Sequence, residues 1–246
     1  CPSNSGTGVA EGSDELSDCQ ADAGFTGSGS GVTVCAIGKY KQSSASSLAC
    51  DDCSAGQYKS SQGQTSDTCE ACRANSGTGT STGSGSESDC LADAGFTGSG
   101  AAVTGCLAGT FKSAAASLVA CTPCASDSYK AMTDQTSDTC DNCPANSHTV
   151  STGQTAESDC LAAAGFTGSG SIVTACASGK FKALSGSSAA CSLCDAGKYN
   201  GNVGESSDTC VSCPDNSMSV AGSDTESGCV ADAGYTGAGS GVAACA

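Results

Sequence analysis

Residues 35–72 read CAIGKYKQSSASSLACDDCSAGQYKSSQGQTSDTCEAC, and this stretch decides the fold. It holds the same plan twice: a cysteine, then Gly-x-Tyr-Lys, then a run of small polar residues to a second cysteine. Cys35 opens the first copy and Cys50 ends it; Cys53 opens the second and Cys69 ends it. Outward from here the order recurs along the whole chain. Cys1, Cys72, Cys143 and Cys213 are equivalent positions, 71, 71 and 70 residues apart. Such a period fixes the architecture before any strand or helix is assigned. It predicts repeats over 1–71, 72–142 and 143–212, and a partial repeat over 213–246.

Composition points the same way. The chain has no Trp, aromatics are 4%, and much of the 38% hydrophobic content is Ala and Cys. So little large apolar surface does not offset the entropy of ordering 246 residues. Cross-links close that gap, each contributing roughly 2–4 kcal/mol by restricting the unfolded chain. The 21 cysteines put the chain among disulfide scaffolds, which belong to oxidising compartments. The expected location is therefore extracellular or at a cell surface. A net charge of −16 disfavours nucleic acid and anionic membrane as partners and favours solubility. No apolar run is long enough for a membrane span. The first residue is Cys and no signal peptide precedes it, so the sequence reads as a mature product or a window from a longer chain.

All ten aromatic residues keep a fixed distance from a cysteine. Tyr40, Phe111 and Phe181 lie five residues after Cys35, Cys106 and Cys176; Tyr58, Tyr129 and Tyr199 lie five after Cys53, Cys124 and Cys194. Phe25, Phe96, Phe166 and Tyr235 lie six after Cys19, Cys90, Cys160 and Cys229. One ring per short cysteine loop predicts packing of that ring against a disulfide. Glycine stands one or two residues before the ring, with Asp127 as the exception, as a tight turn with positive φ requires. Lysine follows the ring at Lys41, Lys59, Lys112, Lys130 and Lys182. Predicted strands are short: Val32–Cys35, Lys39–Lys41, Gln57–Lys59 and their counterparts. Ser113–Ala120 is a candidate for one or two helical turns. The expected fold is a series of small disulfide-rich tandem repeats, mostly coil with short β-hairpins, forming an elongated rod without a single large core.

Six cysteines per repeat allow fifteen connectivities. Sequential pairing is the economical choice, because it closes loops of about 15–18 residues worth roughly 3 kcal/mol each. It gives Cys1–Cys19, Cys35–Cys50 and Cys53–Cys69 in the first repeat, and Cys72–Cys90, Cys106–Cys121 and Cys124–Cys140 in the second. The third has Cys143–Cys160, Cys176–Cys191 and Cys194–Cys210, and the partial fourth has Cys213–Cys229. An interlaced pattern, third to fifth and fourth to sixth as in tumour-necrosis-factor-receptor-like modules, is the rival. Cys245 is left over under sequential pairing, to bond within a longer chain or to another copy.

Cys50, Cys53, Cys69 and Cys72 also have the spacing of a four-cysteine zinc site. That reading leaves Cys19 and Cys35 without a role, so no metal and no cofactor is expected. His148, the single histidine, has no Ser or Asp partner in a known motif and reads as an exposed loop residue. No catalytic constellation is recognisable. Asp67, Asp138 and Asp208 two residues before a cysteine, and Asp18, Asp89 and Asp159 directly before one, read as turn caps. There is no N-x-S/T sequon, while dense Ser and Thr are compatible with O-linked sugar.

The segments Cys35–Tyr40, Cys50–Tyr58, Cys69–Cys72 and Cys143-Pro144-Ala145-Asn146-Ser147 resemble the ephrin-receptor-like cysteine-rich repeat, which is similar to C-x-x-G-x-[YF]…C-x-x-C-x-x-G-x-Y…C-x-x-C-P-x-N-[ST]. The resemblance covers nearly the whole chain. It implies a disulfide-rich extracellular architecture and no catalysis, as in tandem arrays on the surfaces of algae and other protists. Those arrays usually carry two more cysteines per repeat. Here Ala21, Ala92, Ala162 and Ala231 replace the second Cys of a C-x-C, and Val32, Val103, Val173 and Val242 replace the first of a later C-x-x-C. The departure argues against a growth-factor-like or calcium-binding version of that loop. The expected function is a structural subunit of an extracellular filament or surface coat, such as a flagellar hair or matrix fibre, that self-associates. The alternative is the stalk or ligand-binding ectodomain of a receptor-like protein or surface antigen.

Overall fold

A computed structural model describes residues 1–137 and 139–246. Among them there is no α-helix, and every sheet is a pair of two-residue strands. Thr33–Val34, Lys39–Tyr40 and Gln57–Tyr58 fall within segments marked from the sequence, whereas their partner strands and the Ser5–Gly6/Gln20–Ala21 hairpin lie outside them. Lys39 and Tyr40 pair with Asp52 and Asp51, and Gln57 and Tyr58 pair with Ala71 and Glu70. Short 3-10 turns at Leu16–Asp18 and Gly29–Gly31 are the remaining regular elements of the first repeat. Their counterparts recur in later repeats.

One local plan builds every loop. An opening residue is followed three positions later by a residue of positive φ, then by a strand. The closing residue is followed at once by the second strand. Cys1, Cys35 and Cys53 open loops in the first repeat, with Asn4 at φ 64°, Gly38 at 77° and Gly56 at 80°. Asp127 takes φ 65° at the same position in the second repeat. Short polar side chains tolerate this left-handed backbone better than other L residues do.

The disulfides staple loop ends to each other. The first repeat has Cys1–Cys19, Cys35–Cys50 and Cys53–Cys69, and the second has Cys72–Cys90, Cys106–Cys121 and Cys124–Cys140. Cys143–Cys160, Cys176–Cys191, Cys194–Cys210 and Cys213–Cys229 follow. Cα–Cα distances run from 5.3 Å at Cys1–Cys19 to 5.9 Å at Cys124–Cys140, the ordinary span of a disulfide. Cys245 is free and exposed.

Each repeat also has a loop with no disulfide. In the first it opens at Ala21 and closes at Val32. Its strands, Phe25–Thr26 and Thr33–Val34, keep the same offsets from the loop ends as in the bonded loops. Ala21, Ala92 and Ala162 are fully buried, as are the opening cysteines Cys53, Cys124 and Cys194 and the closing cysteines Cys90, Cys160 and Cys229.

The chain divides into two compact units. One comprises Cys1–Thr122 with the segment beginning at Thr133; the other comprises Pro123–Met132 and the chain from Thr139 to Ala246. Within each, successive loops are joined by backbone hydrogen bonds. Gly24 N donates to Lys41 O at 2.9 Å, Gly38 N to Lys59 O at 2.8 Å, and Lys41 N to Gln64 O at 3.0 Å in the first unit. In the second, Gly165 N donates to Lys182 O at 2.8 Å, Gly179 N to Asn200 O at 2.7 Å, and Lys182 N to Glu205 O at 2.9 Å. Contacts between neighbouring loops thus replace a central core, as in other repeat proteins.

The Ser113–Ala120 segment is not helical. Ala116 takes φ 43°, and Ser117 N donates to Ala92 O at 3.1 Å. Bonding to the neighbouring loop replaces the i→i−4 bonds a helix needs.

Candidate functional site

The seam between loops is the most organised chemical feature of the molecule, and lysine occupies it. Lys41, Lys59, Lys112, Lys130 and Lys182 are all buried, Lys41 with 1% of its surface exposed. Buried ammonium groups need hydrogen-bonding partners, since desolvation otherwise disfavours the charge strongly. Here carbonyl and hydroxyl oxygens supply them.

Lys41 Nζ donates to Ala21 O at 3.1 Å and Ser46 O at 2.6 Å. Lys112 Nζ repeats the contact with Ala92 O at 2.9 Å and Ser117 O at 2.7 Å. Lys182 Nζ donates to Ala162 O at 3.4 Å, Phe166 O at 2.8 Å and Ser187 O. Each of these three lysines therefore clamps the loop that has no disulfide onto the next. The second lysine of a repeat turns to a threonine instead: Lys59 to Thr68 and Lys130 to Thr139. In the third repeat Asn200 takes that role, with Nδ2 2.8 Å from Thr209 Oγ1.

Burial pushes the Lys41, Lys112 and Lys182 ammonium groups below the usual lysine value of 10.5. Asp22 opposes the shift at Lys41, and Asp93 opposes it at Lys112. Ala163 stands where those acids would be in the third repeat.

Nine of the ten aromatic rings are half-buried: Phe25, Tyr40, Tyr58, Phe96, Phe111, Tyr129, Phe166, Phe181 and Tyr199. Tyr235 is exposed. Tyr58 donates its hydroxyl to Glu70 Oε2 at 3.0 Å. Its hydroxyl pKa is raised by that bond and by burial; at Tyr40 burial comes first, then the charges of Asp67 and Asp51. The fully enclosed side chains of the seam are thus Cys, Ala and Lys rather than rings. A lysine follows five of the ten rings in the sequence, but its burial is not legible there. Its one signal was recurrence at a fixed place in a chain with few cations.

Other marked residues fall into place. Asp67 and Asp208 cap their turns, accepting from Cys69 N at 3.3 Å and Cys210 N at 3.1 Å. Asp138 lies outside the described residues. Asp89 Oδ2 accepts from Gly85 N and Ser86 N, both at 2.9 Å. Asp18 and Asp159 cap the equivalent turns. Cys50, Cys53, Cys69 and Cys72 belong to three separate disulfides, so none is a thiolate for zinc. His148 is not an exposed loop residue. It lies half-buried in the strand Ser147–His148, with Nε2 3.2 Å from Ser185 Oγ. That strand pairs with Leu161–Ala162, which draws the ring against its neighbours.

Short disulfide-closed loops bonded to one another, with no long helix among the described residues, define a tandem disulfide-rich repeat protein. Residues 109–160 match the family described as tyrosine-protein kinase ephrin type A/B receptor-like. That match and the repeating cysteine framework together support a likeness to the ephrin-receptor-like cysteine-rich repeat. Comparison with curated proteins found no match. The family is a receptor-type repeat and not a catalytic domain. Ten disulfides and this repeat type mark an extracellular or secreted protein. No described helix is long and apolar enough to cross a membrane.

Proposed function

We propose that the chain is a structural subunit of an extracellular filament or cell-surface coat, comparable to a flagellar hair or a matrix fibre. The recurrence of one loop-to-loop bond carries this reading. The lysine clamp appears at Lys41, Lys112 and Lys182 on the same backbone atoms each time. Near-identical repeats present near-identical surfaces at a regular interval, and such surfaces favour self-association. Cys245 offers a covalent join between copies or to further chain. Negative-stain microscopy of native material tests the proposal: fibres with a uniform axial repeat support it, and isolated single molecules overturn it. Non-reducing gels that lose a high-mass species on Cys245→Ser add the covalent join.

A second reading, the stalk or ligand-binding ectodomain of a surface receptor or antigen, is favoured by the receptor-like family match. The His148–Ser185 contact sets the third repeat apart from the others and is where a diversified site would lie. Isolated molecules that bind cells, with binding lost on His148→Ala, would support this reading over the filament.

A further inference from the structure

We propose that the loop without a disulfide is an extensible reserve, released by tension along the chain and restored when tension falls. The argument follows the path of force. In every repeat, Cys1–Cys19, Cys35–Cys50, Cys53–Cys69 and their counterparts short-circuit the loops they close. Force crosses each at the sulfur bridge, and the residues inside carry none. Cys50 to Cys53 and Cys69 to Cys72 are three-residue steps with nothing to release.

The stretches Cys19–Cys35, Cys90–Cys106, Cys160–Cys176 and Cys229–Cys245 are different. Each spans 16 residues with no covalent bypass. Drawn straight, each reaches about 55 Å at the usual advance per extended residue.

What keeps the stretch folded is a set of hydrogen bonds. Phe25–Thr26 pairs with Thr33–Val34, Gly29 N donates to Cys19 O at 2.7 Å, and Cys35 N donates to Gly24 O at 2.9 Å. From the following loop, Ser46 N and Lys41 Nζ both hold Ala21 O, each at 3.1 Å. The same set, with Lys112 or Lys182, closes the second and third copies. These bonds yield long before a disulfide breaks, so the loop opens first. The flanking loops stay stapled, and an opened loop of this size recloses quickly once the pull ends. A fibre would use this reserve to absorb sudden load. That use rests on the structural role proposed above, whereas the stepwise response does not.

Single-molecule pulling of the oxidised 246-residue chain, tethered at its N-terminus and at the Cys245 thiol, tests the proposal. Four reversible steps are expected, each equal to the extended reach of about 55 Å less the folded separation of that stretch's ends. Three should share a common force, and the stretch after Cys229, which has no lysine clamp, should open at a lower one. Ala92→Cys with Val103→Cys, verified by mass to carry the added bridge, should leave three steps. Lys112→Met does not depend on forming a bridge and should lower the force of one step. Absence of discrete steps, four steps in the bridged variant, or unchanged forces in Lys112→Met would each overturn the proposal. Steps seen in a chain that forms no fibres would leave the reserve intact and sink the filament.

Discussion

Gly105 and Asp134 are shaped to one another. A Cβ on Gly105 would fall 1.6 Å from Asp134 Oδ1, so the carboxylate fills the space a side chain at 105 would take. In the first repeat the arrangement is reversed: Val34 stands at the position of Gly105, and Gly63 at that of Asp134. A Cβ on Gly63 would meet Val34 Cγ2 at 3.0 Å. Asp134 holds φ 58° and Gly63 holds 66°, so the backbone is conserved while the filler changes sides.

The two positions should therefore be coupled. Gly105→Val alone is expected to destabilise the second repeat by clashing with Asp134, and Gly105→Val with Asp134→Gly to recover most of the loss. A double-mutant cycle on the chaotrope midpoint should return a coupling of about 0.5–3 kcal/mol. Additive effects would show that the contact carries no energy.

Glycines that look alike in the sequence should differ in tolerance. A Cβ on Gly38 would come within 2.0 Å of Gly83 O, whereas one on Gly56 meets nothing within 4 Å. Both have positive φ, 77° and 80°. Gly56→Asn is expected to be near neutral, because Asp127 already fills the equivalent place. Gly38→Asn should be clearly destabilising, because its Cβ would meet Gly83 O and the loops must separate to admit it. Amide exchange at Gly38, whose N–H donates to Lys59 O, reports that separation.

Stability should rise with pH on the alkaline side and then fall. Lys41, Lys112 and Lys182 have folded values below 10.5. Between those values and 10.5 the unfolded chain holds more protons, so raising pH through that window favours the folded state. Tyr40, Tyr58 and Tyr129 are shifted up from 10.0. Their contribution is complete below 10.0 and is lost as pH passes their folded values. Chaotrope midpoints taken quickly between about pH 8 and 11 should peak near the crossover of these ordinary values. Replacing the three lysines by Met should flatten the rise, and an unchanged profile would exclude the lysines as its source.

The third repeat should accept a missing acid. Ala163→Asp is expected to raise the Lys182 pKa, as Asp22 and Asp93 act upward on Lys41 and Lys112. The gain in stability should be on the order of 0.5 kcal/mol, as for a half-exposed ion pair. Asp93→Ala should move Lys112 in the opposite direction. NMR titration of the two ammonium groups checks both.

The period, the strands at Lys39–Tyr40 and Gln57–Tyr58 and the turn at Asp127 were legible because each depends on a residue type at a fixed distance from a cysteine. The partner strands Asp51–Asp52 and Glu70–Ala71 carry no such residue. Lys41 was not, because a lysine after a tyrosine ordinarily reads as solvated. Its burial follows from the carbonyls of Ala21 and Ser46, which a neighbouring loop brings to it. His148 was misplaced for a similar reason: its strand partner lies thirteen residues on, at Leu161. The Ala and Ser of 113–120 favour a helix locally, but the contact to Ala92 overrides that preference.

The enclosed lysines also set how the protein meets proteases and amine reagents. Trypsin must draw a lysine side chain into a pocket of its own, and five of this chain's lysines are already held inside. Only Lys39, Lys180, Lys198 and Arg73 remain to be reached. The nine Lys and Arg of the sequence would then yield fewer tryptic cuts than their number, and amine-reactive dyes or fixatives would find few points of attachment. The outer surface is more one-sidedly acidic than a net charge of −16 suggests, because part of the balancing positive charge lies inside the fold.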